Sequence, residues 1–456
     1  MVSTAGPFIA QADVLNDGNS EFYFGGPLNK SGALLVQDLY QNYAAYELPA
    51  FKEDAGYEDE GSVFIDVNKD GQADLFVSSG GGSHAPGNRE NADRLYINKG
   101  AGIFQKANIE NKSYVNGGKC IKGDLDQDGR EDVLVAGRVY PNRYPSPAPF
   151  TFWKGKDETL IETDANSVFK DINSIGMVQD LVFEDLDGDG NKDLILCGHW
   201  MPVMVYYGQG NGSYSEAREI GQEVGWFNAL KIADLNKDGK LDILVGNEGM
   251  NNKYKASKSD PLKIYLDDFD NSGTYDVILS HHEDENEIPV RGRECSSEAI
   301  PMLNQQIGSY DIFAKSDLGD IYGREALDAA LQYEANEFRH GIYFQKEEDF
   351  SFEALPHAAQ ISPILDWHIE DFDGNGELDI MGVGNRYQTE VETVRGDAGT
   401  GLFLLQKNGA FTYLLPVESG LHIPFNSRTI NVLDRGGKRS YLIGSNNGPL
   451  LMIDKK

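Results

Sequence analysis

Residues 185–193 read DLDGDGNKD and lie between VQDLVFE and LILCG. Acidic side chains fall at loop positions 1, 3, 5 and 9 (Asp185, Asp187, Asp189, Asp193), and Gly190 stands at position 6, where a chain gathering carboxylates around one point must turn sharply. Such a set of hard oxygens suits calcium. The flanks are short, apolar and β-prone, so they read as paired strands and not as the helices of an EF-hand; position 12, where an EF-hand needs Glu, is Leu196. The motif recurs as DVNKDGQAD (Asp66, Asn68, Asp70, Asp74), DLDQDGRED (Asp124, Asp126, Asp128, Asp132) and DLNKDGKLD (Asp234, Asn236, Asp238, Asp242). Two further copies are DFDNSGTYD (Asp268, Asp270, Ser272, Asp276) and DFDGNGELD (Asp371, Asp373, Asn375, Asp379). About six structural calcium ions are therefore expected. A degenerate first copy keeps Asp13, Asp17, Gly18 and Glu21 but has Leu15 at position 3, and a last one, INVLDRGGKRSYLIG, has lost its acidic ligands.

The repeat sets the architecture. Its second unit runs as strand SVFID, loop, strand DLFVSSGG, a polar excursion, strand DRLYINKG, a short turn and strand IFQKANI. The same plan fits residues 120–170, 178–219 and 367–417. Four antiparallel strands repeated in this way cannot bury both faces alone, which makes the chain an all-β protein of β-propeller type and a single domain over 1–456. The loops at Asp234 and Asp268 start too close together for a complete unit between them. Seven blades follow if the Asp268 hairpin supplies the outer strands of the blade begun at Asn228, and eight if it is a halved blade. Residues 284–361 break the pattern: REALDAALQYEANEF from Arg324 spaces Leu327, Leu331 and Tyr333 as a helix does, so a helical insertion with an extra hairpin (GIYFQ, FSFEAL) is expected to cap the propeller edge.

A formal charge of -33 argues against nucleic acid and anionic membranes as partners, since both need basic patches. No apolar run is long enough to span a membrane. Cys120, Cys197 and Cys295 have no metal-ligand spacing, and the first two fall in expected strands as buried thiols. MVSTAGP carries no signal peptide and reads as a trimmed start. Sites of this solvent-edge type fill at the millimolar calcium found outside cells, which places the protein in the extracellular space or cell envelope.

If each loop joins a first strand to a second, antiparallel order sends the other long connections to the opposite end. Those connections are unusual. They carry His84 and Arg89; Arg138, Tyr140, Arg143 and Tyr144; His199 and Trp200; Asn247, Glu248, Asn251, Asn252 and Tyr254; His281 and His282; and Asn385, Arg386 and Tyr387. Flat aromatic faces beside Asn and Arg donors suit sugar rings or carboxylates, although aromatics and prolines also stiffen long loops. His281 and His282 are adjacent on an extended chain and point apart, which defeats joint ligation of a metal. No GxSxG, HExxH or phosphate loop occurs. The alternative to a binding module is a lyase or glycoside hydrolase of an acidic polysaccharide, with His84 or His199 as base, a Tyr such as Tyr144 as acid and Arg138 or Arg386 neutralising a uronate.

The strand–DxDxDG–strand repeat resembles the FG-GAP (VCBS) repeats of integrin-α-type propellers. AGRVYPNRYPSPAP from Ala136, GHWMPVMVYY from Gly198, GNEGMNNKYKAS from Gly246, RECSSEAIPML and DIYGREALDAALQYEAN resemble the bacterial proteins related to cartilage acidic protein (ASPIC/UnbV-associated). The resemblance covers nearly the whole chain. It implies an extracellular or cell-envelope calcium propeller, often part of a longer secreted protein, integrin-like and adhesive, with surface binding but no named ligand; the glycan or protein ligand is read from the rim residues above.

Overall fold

In the second repeat the strands Asp59–Ile65, Asp74–Ser79, Arg94–Asn98 and Phe104–Lys106 are hydrogen-bonded in that order, each antiparallel to the next. The strand Asp74–Ser79 is buried along its length. Its side chains alternate between two neighbours: Leu75 and Val77 pack with Tyr23, Leu34 and Phe51 of the preceding repeat, and Phe76 packs with Val133 and Trp153 of the following one. A strand covered on both faces has no polar side to show, which is why DLFV reads as a continuous apolar run. A computed structural model describes residues 6–38, 42–284, 286–347, 349–389, 393–435 and 437–455 of this arrangement.

Residues 9–46, 117–163 and 364–413 repeat the four-stranded order, and residues 427–454 form three strands. Residues 177–226 hold Met177–Glu184, a long central strand Asp193–Tyr206, and Arg218–Trp226. Midway along the central strand Trp200 has φ 61°, and the Gly208 N–H donates to Asp193 Oδ1 at 2.8 Å. The corresponding bonds in the second and third sheets, Asn98 to Asp74 and Gly155 to Asp132, come from the end of the third strand. The chain thus doubles back at Trp200, and this sheet follows the common plan.

Each sheet shares an apolar cluster with the next in sequence, and Leu433 and Leu442 of the last pack with Phe22 and Leu35 of the first. The first strands of successive sheets are neighbours, and the last of these, Ser427–Arg435, lies against Ile9–Ala12. Cys120 and Cys197 are buried in strands, as expected, and burial pushes both thiols up.

The fifth sheet corrects the sequence reading. Ala229–Ala233 and Asp242–Gly246 are completed by Gly341–Gln345 and Phe350–Ala354, with Ile243 opposite Tyr343 and Val245 opposite Gly341. The segments GIYFQ and FSFEAL are therefore blade-like outer strands and not a spare hairpin, because Tyr343 and Phe350 fill the apolar cluster around Ile195, Leu230 and Ile243. The Asp268 hairpin, Leu262–Asp267 with Asp276–Glu283, instead belongs to a separate sheet completed by Asn286–Pro289 and Leu331–Ala335. Short helices between Arg293 and Ala329 pack on it through Ile300, Leu303, Ile321 and Leu327 against Tyr265, Phe269 and Ile278. The helix expected from Arg324 stops at Ala329, since Leu331–Ala335 pairs with Leu262–Asp267 and a strand partner overrides local helix propensity.

Candidate functional site

The repeated loops share one backbone form. Positions 4 and 6 are left-handed throughout, from Asn16 and Gly18 (φ 53° and 86°) to Gly374 and Gly376 (74° and 83°), so the degenerate first copy keeps the loop shape. The position-6 N–H donates to the position-1 carboxylate, as Gly190 does to Asp185 at 2.9 Å, and the position-2 N–H donates to position 9, as Leu186 does to Asp193 at 2.8 Å. In the first copy Glu21 takes the position-9 role, accepting from Val14 N–H at 2.8 Å.

This geometry brings positions 1, 3 and 9 together. In Asp124/Asp126/Asp132, Asp185/Asp187/Asp193, Asp268/Asp270/Asp276 and Asp371/Asp373/Asp379, one oxygen from each carboxylate lies within 4.8 Å of the others. Position 5 also braces the turn: Asp128, Asp189 and Asn375 accept the N–H two residues on, at 3.1, 2.7 and 2.6 Å. In the two loops with Asn at position 3, Asn68 and Asn236 donate to Asp70 and Asp238, each at 3.0 Å. Burial, with neighbouring carboxylates adding to it, pushes Asp74, Asp132, Asp193 and Asp276 up to about 6, and raises Asp242 and Asp379 in the same direction. The donor set fits a hard divalent cation. Asp124 Oδ1 is buried with no hydrogen-bond partner, and the Lys154 ammonium sits against Asp126 and 3.0 Å from Asp128, a cation already drawn to that cluster.

At the other end of the sheets a charged cluster forms from separate connections. Arg138 pairs with Glu60 at 2.6 Å and reaches Gln179 at 3.4 Å. Arg386 pairs with Glu248 at 2.7 Å and donates to Asn228 Oδ1 at 3.3 Å, the same oxygen that meets His199 Nε2 at 2.9 Å. Burial and the two arginines push His199 down to about 3, so its imidazole is neutral near pH 7. Trp200 donates to Tyr144 at 2.8 Å but is itself buried, packing with Trp226, Tyr254, Leu262 and Ile264. It anchors the inserted sheet rather than offering an open face.

The other expected residues divide. Tyr140 and Tyr144 line a cavity of about 320 Å³ with Gly81, Asn116, Leu266 and Tyr275. Arg143 lies 4.6 Å over the Tyr275 ring and donates to its hydroxyl. Asn385 braces the backbone, bonding Gly399 and Phe425, and Tyr387 donates to the Pro424 carbonyl at 2.7 Å. Asn251 and Asn252 donate to the Ile361 and Gly249 carbonyls, at 3.2 and 2.8 Å. His281 bonds the adjacent His282 carbonyl, His84 meets the Gly56 carbonyl at 3.1 Å, and Arg89 is exposed on a short helical turn. Sequence reasoning missed Glu60, Gln179, Asn228 and Arg428, which lie in or beside first strands, where a lone polar residue reads as a solvent-facing position.

Tyr275 corrects a second expectation. It is position 8 of the Asp268 loop, so this loop lies beside the Arg143 rim and not with the loops at the far end of the sheets. Asp276 also differs from its counterparts. It accepts from Phe269 N–H at 3.1 Å, and its neighbouring strand Asn286–Pro289 pairs only with residues 280–283, away from the loop.

Residues 66–135 and 185–245 match the FG-GAP-like repeat. The Asp268 and Asp371 loops lie outside both stretches. Comparison with curated protein sequences returned no match. Among solved structures the chain is similar to the V. cholerae biofilm matrix protein Bap1, with 11% identity, TM-score 0.39, and 97% of this chain and 85% of that one covered. It is similar also to Sqt1 from Chaetomium thermophilum, with 10% identity, TM-score 0.44, and coverage of 100% and 97%. At these scores neither likeness bears on function, and the narrower resemblance to cartilage-acidic-protein relatives rests on the quoted motifs alone.

Proposed function

We propose that this chain is an extracellular, calcium-stabilised β-propeller of seven blades, with an eighth sheet inserted in the fifth, that binds a glycan or protein ligand at the rim opposite the blade loops. The cycle of shared apolar clusters supports the ring of seven. Calcium is the cation that loops of hard oxygens with flexible geometry select, and among the described residues no helix is long and apolar enough to cross a membrane. The binding reading is carried by one observation. Connections from four sheets bring Arg138, His199, Glu248 and Arg386 into one region, next to a cavity walled by Tyr140, Tyr144 and Tyr275.

A second reading, cleavage of an acidic polysaccharide, has a specific support: His199 and Arg386 share the Asn228 Oδ1 oxygen, which sets an imidazole beside a guanidinium able to neutralise a uronate carboxylate. Exposure of the full chain to a glycan array in calcium and in EDTA, followed by incubation with any hit, tests both. Reversible binding of unaltered glycan is expected. New unsaturated or reducing ends would favour the second reading, and no retained glycan in either buffer would leave a protein ligand as the form to test by cross-linking at Arg143.

A further inference from the structure

Arg428 lies on the first strand of the last sheet, among the same charges but without a share in their pairing. Arg138 has Glu60 at 2.6 Å and Arg386 has Glu248 at 2.7 Å. Both acids are nearly fully buried, and each is matched by its own arginine. Arg428 feels Arg386, Arg138, Glu248 and Glu60, yet makes no ion pair among the described residues, and its Nε is buried with no hydrogen-bond partner. Arg428 is thus left unpaired beside two acids that are already paired. Arg428 is only partly buried, so an ion can enter where no described residue pairs with it.

A guanidinium removed from water and left unpaired is strongly unfavourable, and burial together with the two like charges pushes Arg428 down to about 9. Burial also raises Glu60 to about 8 against the pull of Arg138, so this acid is not fully ionised at neutral pH. The fork of donors on Arg428 matches a planar or tetrahedral oxyanion.

We propose that Arg428, flanked by Arg138 and Arg386, binds an oxyanion of the ligand, which makes that ligand acidic: a saccharide bearing carboxylate or sulfate groups. The saccharide part rests on the binding function proposed above, and the anion site itself does not. Tyr144 connects the two regions, since it lines the 320 Å³ cavity and lies within electrostatic reach of Arg386 and Glu248. A sugar ring in the cavity therefore has its acidic substituent directed to the arginines.

The test compares the full chain with Arg428→Gln and Arg428→Lys in calcium buffer. Acetate and sulfate, at constant ionic strength, should each raise the melting temperature of the unaltered chain and leave that of Arg428→Gln unmoved. A uronate oligosaccharide and a sulfated one should bind the unaltered chain more tightly than a neutral oligosaccharide of equal length, and Arg428→Gln should weaken the preferred acidic probe by roughly tenfold or more. Arg428→Lys should recover part of that loss, keeping the charge without the fork. The variant that loses an unpaired buried charge should melt no lower than the original when no anion is added. A lower melt for Arg428→Gln, or equal anion effects in both chains, would overturn the proposal. Acidic and neutral probes bound equally would overturn it while leaving the binding function standing. Anion effects that depend on Arg428, with no saccharide bound, would support the anion site and remove the saccharide from the proposed function.

Discussion

The Asp185 loop and the Asp268 loop carry the same motif and fold alike, yet they serve different parts of the molecule. In the first, Asp193 is fixed from two sides, by Leu186 N–H of its own loop and by Gly208 N–H at the end of the third strand. In the second, Asp276 is held by Phe269 N–H, and position 8, Tyr275, reaches across to Arg143 on the opposite rim. A nine-residue motif fixes its own turn, whereas the strand order around it decides which end of the protein that turn serves. One loop closes a blade, and the other lies against the wall of a cavity.

Removing all the cations should have the largest effect. Ions held only by the folded chain stabilise it by on the order of a few kcal/mol each at saturating concentration, so EDTA should lower the melting temperature by many degrees in calorimetry. An unchanged melt, with no calcium in elemental analysis, would count against the whole metal reading.

Single ligands should then split the two loops. Asp193→Ala leaves the N–H groups of Leu186 and Gly208 without an acceptor and should destabilise the chain by about 2–4 kcal/mol in denaturant titration. Asp276→Ala should cost less than half of that, yet it should weaken ligand binding, because Tyr275 loses its support. Equal stability losses with binding intact in both variants would remove the distinction.

The effect of pH has a definite sign. In chelator, Asp74, Asp132, Asp193 and Asp276 have folded-state values near 6, above the ordinary range, so the stability they contribute is present at low pH and is lost as pH rises through about 6. Calcium needs the ionised form. The gap between melting temperatures with calcium and with EDTA should widen from pH 4 to pH 7, and a gap that narrows would contradict this.

The smallest effect on stability is expected for Arg143→Ala, since Arg143 is exposed and stacks on the exposed Tyr275 ring. Its melt should move by about a degree at most, and the calcium dependence of that melt should stay the same while ligand affinity falls.

Much of this is legible in the sequence. The sharp turn at position 6, the strand before and after each loop, and the gathering of Arg138, His199 and Arg386 at one end all follow from motif spacing and antiparallel order. Strand pairing across a long gap does not. Nothing local to Val245 points to Gly341 as its partner, and the Asp268 hairpin copies a blade motif closely enough to take that place in a sequence reading. The residues after Ala329 are good helix formers whose conformation is set by the edge of Leu262–Asp267. Arg428 stands between Ser427 and Thr429 on a strand, where a charged residue ordinarily marks a solvated face, and only the convergence of first strands shows that this face meets other arginines.

The separation of structural cations from ligand recognition is tested most directly by a crystal structure of the full chain grown in calcium with a bound acidic oligosaccharide. The account predicts ions at positions 1, 3 and 9 of the blade loops, and the saccharide at the opposite rim between Tyr144 and the arginines, with no bond to any of those ions. A saccharide oxygen bonded to the ion of a blade loop would contradict it.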